Sequence, residues 1–322
     1  MSAFILRRLL QMIPLLLGIS FLTFAIINLI PNSPVADLEL NPRSRPEDVA
    51  RIKENLGLNE PWPQRYVQWI SNLVRGDLGL SLETFQPVTG TILDVLPNTL
   101  LLAGSSLFVA LLIAIPVGIY SATHRNSWFD HVSTVGSIAA YAMPSFWLAL
   151  LLIILFGLKF REWGLPALPV NGMSDLRNGG GVLDRIEHMI LPVISLALVQ
   201  IASWARYIRS SMLEVVSQDF VRTAAAKGLK DRAIVYGHAF RNALLPLITL
   251  VGLSLPDLFG GAFFIEAIFA WPGIGGLTLR AISSADYPVI MGTTVMFAVL
   301  TILGNLIADI LYAVFDPRIR YD

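Results

Sequence analysis

Groups that titrate, ligate metals or attack substrates are scarce in this chain, and their spacing excludes most chemistry. The four histidines, His124, His131, His188 and His238, form no HExxH or comparable metal-ligand pattern. There is no cysteine, so thiolate sites and disulfides are excluded. No GxxxxGK[ST] loop is present to cradle nucleotide phosphates, and no GxSxG elbow to raise a nucleophile. The glycine-rich run from Phe269 to Gly275 follows no strand and has the wrong glycine spacing for a phosphate loop. What remains is a few acids inside long apolar runs: Asp257, just after Pro256, Glu266 and Asp309. A carboxylate at such a depth faces a cavity or a partner. Asp257 and Glu266 are therefore candidates to line a translocation path. A partnered packing residue is the alternative for Asp257, and a Pro/Gly turn at the outer interface, with Trp271 as a belt residue, is the plain reading around Glu266.

The elements that would hold these residues follow from composition. Of the 322 residues, 55% are hydrophobic and 14% charged, with mean hydropathy +0.65. A soluble domain carries nearer a quarter charged residues, so the chain reads as a polytopic membrane protein. Its zero formal net charge argues against nucleic acid as a partner.

Six spans can be drawn. The uncharged run from Leu9 to Ile30 follows Arg7-Arg8, is too long for a secretory core and lacks an Ala-x-Ala site, so it is expected to be retained as the first span. Residues 31–97 then hold nine acids and six Lys/Arg with scattered Pro, and read as a small extracytoplasmic segment. Scattered turns punctuate short helices there, and Pro46 to Leu56 reads as one amphipathic helix. Further spans are expected over Thr99–Ser121, Val132–Leu158 (long enough to tilt), Met189–Ala205 (short), Ala243–Ala270 and Tyr287–Phe315. The division is thus 1–97, first helix plus extracytoplasmic segment, and 98–322, a five-helix core. Both termini are expected in the cytoplasm, beside the basic residues that such loops favour.

The polar centre of the chain is the stretch from Gln218 to Pro246. Between Arg206 and Arg241 seven Lys/Arg stand against three acids, flanked by apolar runs. Met212, Val216, Phe220 and Ala224 recur every fourth residue, which places them on one helix face. Ala224, Ala225 and Ala226 permit close approach by another surface, and Gly228 after Lys227 suits a left-handed helix end. A second helical stretch is expected up to Asn242. A short helix-turn-helix of this kind suits a partner's groove.

The order Thr223-Ala-x-Ala-Lys-Gly-Leu, then His238-Ala-x-Arg-Asn-Ala-x-x-Pro246, resembles the coupling loop of binding-protein-dependent ABC importer permeases. Arg222 stands where the general motif has Glu, and Leu245-Pro246 comes later than in the consensus; both are similar to the dipeptide/oligopeptide/nickel branch. Leu56-Gly57-Leu58, Tyr66, Gly76-Asp77-Leu78-Gly79-x-Ser81, Gly260-Gly261-Ala262, Glu266, Pro272-Gly273-Ile274-Gly275, Asp286-Tyr287-Pro288, Asp309-x-x-Tyr312 and Asp316-Pro317-Arg318 keep that branch's order. Asn32-Ser33-Pro34 replaces its Gly-Asp-Pro.

The resemblance implies an all-α type I importer permease fold with six transmembrane helices, in a prokaryotic cytoplasmic membrane. It implies a heterodimer with a second, homologous permease subunit, two ATPase subunits that bind the ATP and magnesium, and an extracytoplasmic solute-binding protein. Phe220, Arg222, Thr223, Ala224, Ala225, Lys227, Gly228, His238, Arg241 and Asn242 would form the ATPase-coupling loop. The chain itself would be no enzyme and hold no cofactor or metal; its cargo would be di- or oligopeptides, or alternatively nickel chelates or other small solutes. The rival from another class is an ion-coupled secondary transporter working through Asp257 and Asp309.

Overall fold

The computed structural model describes residues 2–29, 45–55, 60–175 and 180–315. Asn32-Ser33-Pro34, Leu56-Gly57-Leu58, Asn178-Gly179 and the tail from Asp316 onward lie outside the described residues. Among those described, every extended element is helical, and an isolated antiparallel bridge joins Leu80 to Pro87.

The first helix, α1 (Ser2–Leu29), is followed by two short amphipathic helices, α2 (Pro46–Asn55) and α3 (Trp62–Val74). The apolar face of α3 lies on α1: Tyr66 stacks edge-on to Phe21 at 5.4 Å, and its hydroxyl donates to the Leu17 carbonyl at 3.0 Å. Next come α4 (Val88–Thr123), α5 (Trp128–Ala142) and α6 (Ser145–Leu152), which continues through a π-helical turn at Ile153–Lys159 into Phe160–Glu162. The rest is α7 (Val182–Val216), α8 (Asp219–Ala226), a second π-helical turn at Ala233–Ala239 running into α9 (Phe240–Ile268), α10 (Ile274–Ser283) and α11 (Tyr287–Phe315).

Among the described residues five helices are long and apolar enough to cross a membrane, or six if the bent α5–α6 pair is one span. That pair departs from the single tilted span expected over Val132–Leu158, because the chain bends by 107° between its two halves. Proline is the cause. Pro144 disfavours helical backbone in the residue before it, and Met143 is accordingly extended at φ −90°, ψ 130°.

Two spans are much longer than their apolar cores: α4 has 36 residues and α7 has 35, where Thr99–Ser121 and Met189–Ala205 were expected. Charge ends hydrophobicity but not helicity: the α7 overhangs contain no Gly or Pro, and α4 stays helical through Gly90 and Pro97. The border drawn at 97–98 falls inside α4. The two long helices pack side by side, closest at Gly118, where an added Cβ would lie 2.7 Å from the Ile208 Cβ and 2.8 Å from the Ala205 carbonyl. Glycine is needed here for the approach itself.

Three apolar clusters fill the bundle. One joins α4, α7, α8 and α9 at the α8 end, through Ala114, Ile119, Trp204, Ile208, Met212 and Ala243. A second centres on Leu102, Leu191, Ile265, Phe269 and Trp271. The third packs Leu78, Val88 and Ile92 against α10 and α11 through Leu277, Ala281 and Val289.

Candidate functional site: a coupling surface and its anchors

The basic island folds as a short helix standing on the bundle. Helix α8 starts after the extended Gln218 and ends at Lys227. Gly228 then takes φ +75°, the left-handed conformation expected of it. Its N–H donates to the Ala225 carbonyl at 2.9 Å, and the Leu229 N–H reaches back to Ala224 at 3.4 Å, so the end carbonyls are satisfied. The Thr223 hydroxyl donates to the Asp219 carbonyl at 2.9 Å, and Arg222 pairs with Asp219 at 3.5 Å.

The face that α8 buries differs from the one that periodicity suggests. Helix α7 stops at Val216, and the extended Gln218 resets the register before α8 begins. Met212, Val215, Val221 and Ala224 are therefore the buried set, whereas Val216 and Phe220 are 42% and 38% exposed. Val221 and Ala224 sit in the same cluster as Trp204 and Ile208. This leaves Arg222, Thr223, Ala225, Lys227 and Gly228 on the open side.

Beyond the turn, the expected second helix is not separate. The Ala233–Ala239 turn flows into α9, so Arg241 and Asn242 lie in the first turn of a spanning helix. His238, Arg241 and Asn242 are exposed, and the Asn242 amide donates to the His238 carbonyl at 2.8 Å. Ile234 and Ala239 are buried beneath them.

An ion pair that the motifs did not reveal links α5 to α7. Asp130, 2% exposed near the start of α5, accepts from both Nε and Nη2 of Arg209 on α7, the latter at 2.7 Å. It also accepts from the Asn126 N–H at 3.0 Å, while the Ser127 hydroxyl accepts from the Asp130 N–H at 3.2 Å. This forked pair ties the start of α5 to the end of α7. Ser127-x-x-Asp130 has the spacing of a helix cap, the one local signal that could have exposed it.

At the opposite end the signature residues meet. The Ser81 hydroxyl donates to the buried carboxylate of Asp286, which also receives the Glu83 N–H at 3.3 Å and the Val289 N–H at 3.4 Å. Glu266 is fully buried, and its carboxylate accepts the Gly275 N–H at 2.6 Å. An added Cβ at Gly273 would lie 2.3 Å from that carboxylate, and one at Gly275 would lie 2.6 Å from the Phe263 Cα. Thr99 accepts the Ile274 N–H at 2.9 Å, and the Trp271 indole donates to the Asn98 carbonyl at 3.0 Å. Glu266 is thus enclosed within this chain as the carboxylate that caps the start of α10, not set on an open face.

The remaining membrane acids separate clearly. Asp309 pairs with Arg8 through two contacts of 3.1 Å, joining α11 to α1. Asp257 is exposed on the surface of α9.

With this geometry in place, the comparisons define the class. Residues 114–321 match the family of binding-protein-dependent transport system inner membrane components, and residues 1–103 match its N-terminal family. The chain belongs to that family: it is the membrane-embedded permease component of an ABC importer. An oligopeptide transport system permease protein, AppB of Bacillus subtilis, is 44% identical over 322 residues, covering 100% of both chains. A dipeptide transport system permease protein, DppB of Escherichia coli K12, is 38% identical over 342 residues, covering 100% of this chain and 99% of the relative. Among solved structures, the MetNI methionine ABC transporter in inward-facing conformations matches with a TM-score of 0.54 at 17% identity. That match covers 70% of this chain and 96% of the other, a likeness of fold.

Proposed function

We propose that this chain forms half of the translocation pathway of an ATP-driven importer of di- or oligopeptides, paired with a second, homologous permease subunit. Two ATPase subunits on the cytoplasmic face carry the nucleotide and magnesium, and one of them docks on the α8 surface of this chain. An extracytoplasmic solute-binding protein delivers the peptide, and both termini of this chain lie in the cytoplasm. The observation that supports this most is the seating of α8: its inner face is built into the α4–α7–α9 cluster while Arg222, Thr223, Ala225 and Lys227 point outward. A surface so mounted passes a push directly into three spans. When ATP closes the ATPase dimer, the cluster moves as a unit and alternates the access of the pathway. The relatives' names favour peptides over nickel chelates as cargo. The pairing of Asp309 with Arg8 removes one of the two acids an ion-coupled transporter would need.

The test is reconstitution of the chain with its co-expressed partner subunits in liposomes. ATPase stimulated by a peptide-loaded binding protein, with peptide accumulation, is the expected result. Purification of the chain alone, moving peptide on an ion gradient, would overturn it.

A further inference from the structure

Every acid at a span position other than Asp257 has at least one partner within the chain, although the buried Glu266 Oε1 itself receives no hydrogen bond. Glu266 receives a backbone N–H, Asp309 pairs with Arg8, and Asp130 is forked by Arg209. Asp257 is exposed, and among the described residues no hydrogen bond or ion pair reaches it. An unmet carboxylate at the centre of a spanning helix costs roughly 2.5–3.5 kcal/mol against lipid, so its face is turned to water or to a cation.

The surface around it has a shape. In a helix, residues seven apart lie within about 20° of one another and about 10 Å apart along the axis. Asp257 and Phe264 are so related, and Phe264 is 54% exposed. Between them lies Gly260, beside which an added Cβ would meet nothing within 4 Å. Phe146 of α6, itself 45% exposed, stands 6.4 Å from the Phe264 ring. The face is a notch with a carboxylate at one end, a gap in the middle and an aromatic pair at the other.

Resting on the peptide-importer reading, we infer that this notch is a transit site for the peptide's amino-terminal residue, with Asp257 holding the α-ammonium and Phe264 and Phe146 carrying the first side chain. An α-amino group of pKa about 7.7–8 is mostly charged at neutral pH, so it supplies the missing cation. Conduction requires binding weak enough to release, which a single carboxylate beside an aromatic pair provides.

The experiment uses the complete complex in proteoliposomes, with saturating binding protein loaded with the dipeptide Ala-Phe, and reads peptide taken up per ATP hydrolysed. Asp257→Asn is expected to lower that ratio about tenfold, the loss of one charge-assisted hydrogen bond, while stimulated ATPase and co-purification of the second permease subunit persist. Asp257→Glu restores at least half of the ratio, and Gly260→Leu, which fills the notch, lowers it as Asp257→Asn does. An unchanged ratio in Asp257→Asn overturns the inference, as does loss of the second subunit from that variant, which would mark Asp257 as an inter-subunit ion pair. If the unaltered complex takes up no peptide at all, it is the peptide-importer reading that fails.

Discussion

Arg209→Ala tests the anchor between α5 and α7. The substitution strips the partner from a carboxylate whose side chain is 2% exposed, while Arg209 itself is 26% exposed. Breaking a well-buried pair from one side costs roughly 3–5 kcal/mol. The partial exposure of the arginine and the surviving Asn126 N–H, at 3.0 Å, place the expected loss at the lower end, about 3 kcal/mol. Removing both charges is milder. Asp130→Asn with Arg209→Met keeps an acceptor for Asn126 and apolar bulk on α7, and should lie within about 1 kcal/mol of the unaltered protein. Denaturant unfolding in mixed micelles, followed by tryptophan emission, reads both variants; Trp204, 1% exposed on α7, is a nearby reporter. If Arg209→Ala falls within about 0.5 kcal/mol of the unaltered protein, or if the double variant is as unstable as the single one, the pair is not an anchor.

Three further predictions follow from named geometry. Gly228→Val meets open space but must adopt φ +75°, so strain of about 1–3 kcal/mol should distort the turn; uptake should fall with the spans still folded, and normal uptake would refute the role. Ala225→Arg places a bulky cation on the open side of α8, and should reduce the ATPase that co-purifies with the complex. Gly275→Ala drives a Cβ to 2.6 Å from the Phe263 Cα, a backbone atom that no rotamer change relieves, and should destabilise by about 1–3 kcal/mol in the same unfolding assay.

The class of the protein was legible in the chain because its signals are local. Apolar runs mark spans wherever they occur, and the Ala-Lys-Gly order of the loop fixes a helix end at Gly228 that the structure reproduces. Span lengths were less legible, because hydropathy detects where lipid begins and not where a helix stops; α7 continues eleven residues beyond Ala205. The single face expected for Met212, Val216, Phe220 and Ala224 does not hold, because one extended residue, Gln218, shifts the phase of the four-residue repeat. Pairings across distance left no local trace. Nothing near Arg209 announces Asp130, 79 positions earlier, and nothing near Asp309 announces Arg8. The reading of Glu266 fell between these cases. Its neighbours showed a turn, but only the folded chain shows the carboxylate enclosed by Gly273 and Gly275.

The overhang of α7 has a mechanical meaning. Eleven residues beyond Ala205, at 1.5 Å each, carry the rod roughly 16 Å past its apolar core before α8 begins. Such an arm works as gearing: a slight tilt near the bilayer midplane becomes a wider sweep at the tip, and a wide stroke applied at the tip is reduced to a fine adjustment of the pathway. Gearing needs stiffness against bending, and a lone helix bends. The close contact at Gly118 doubles the shaft by laying α4 along α7 where the arm leaves the core. A larger residue there would split one beam into two, and the stroke would be spent in flexing.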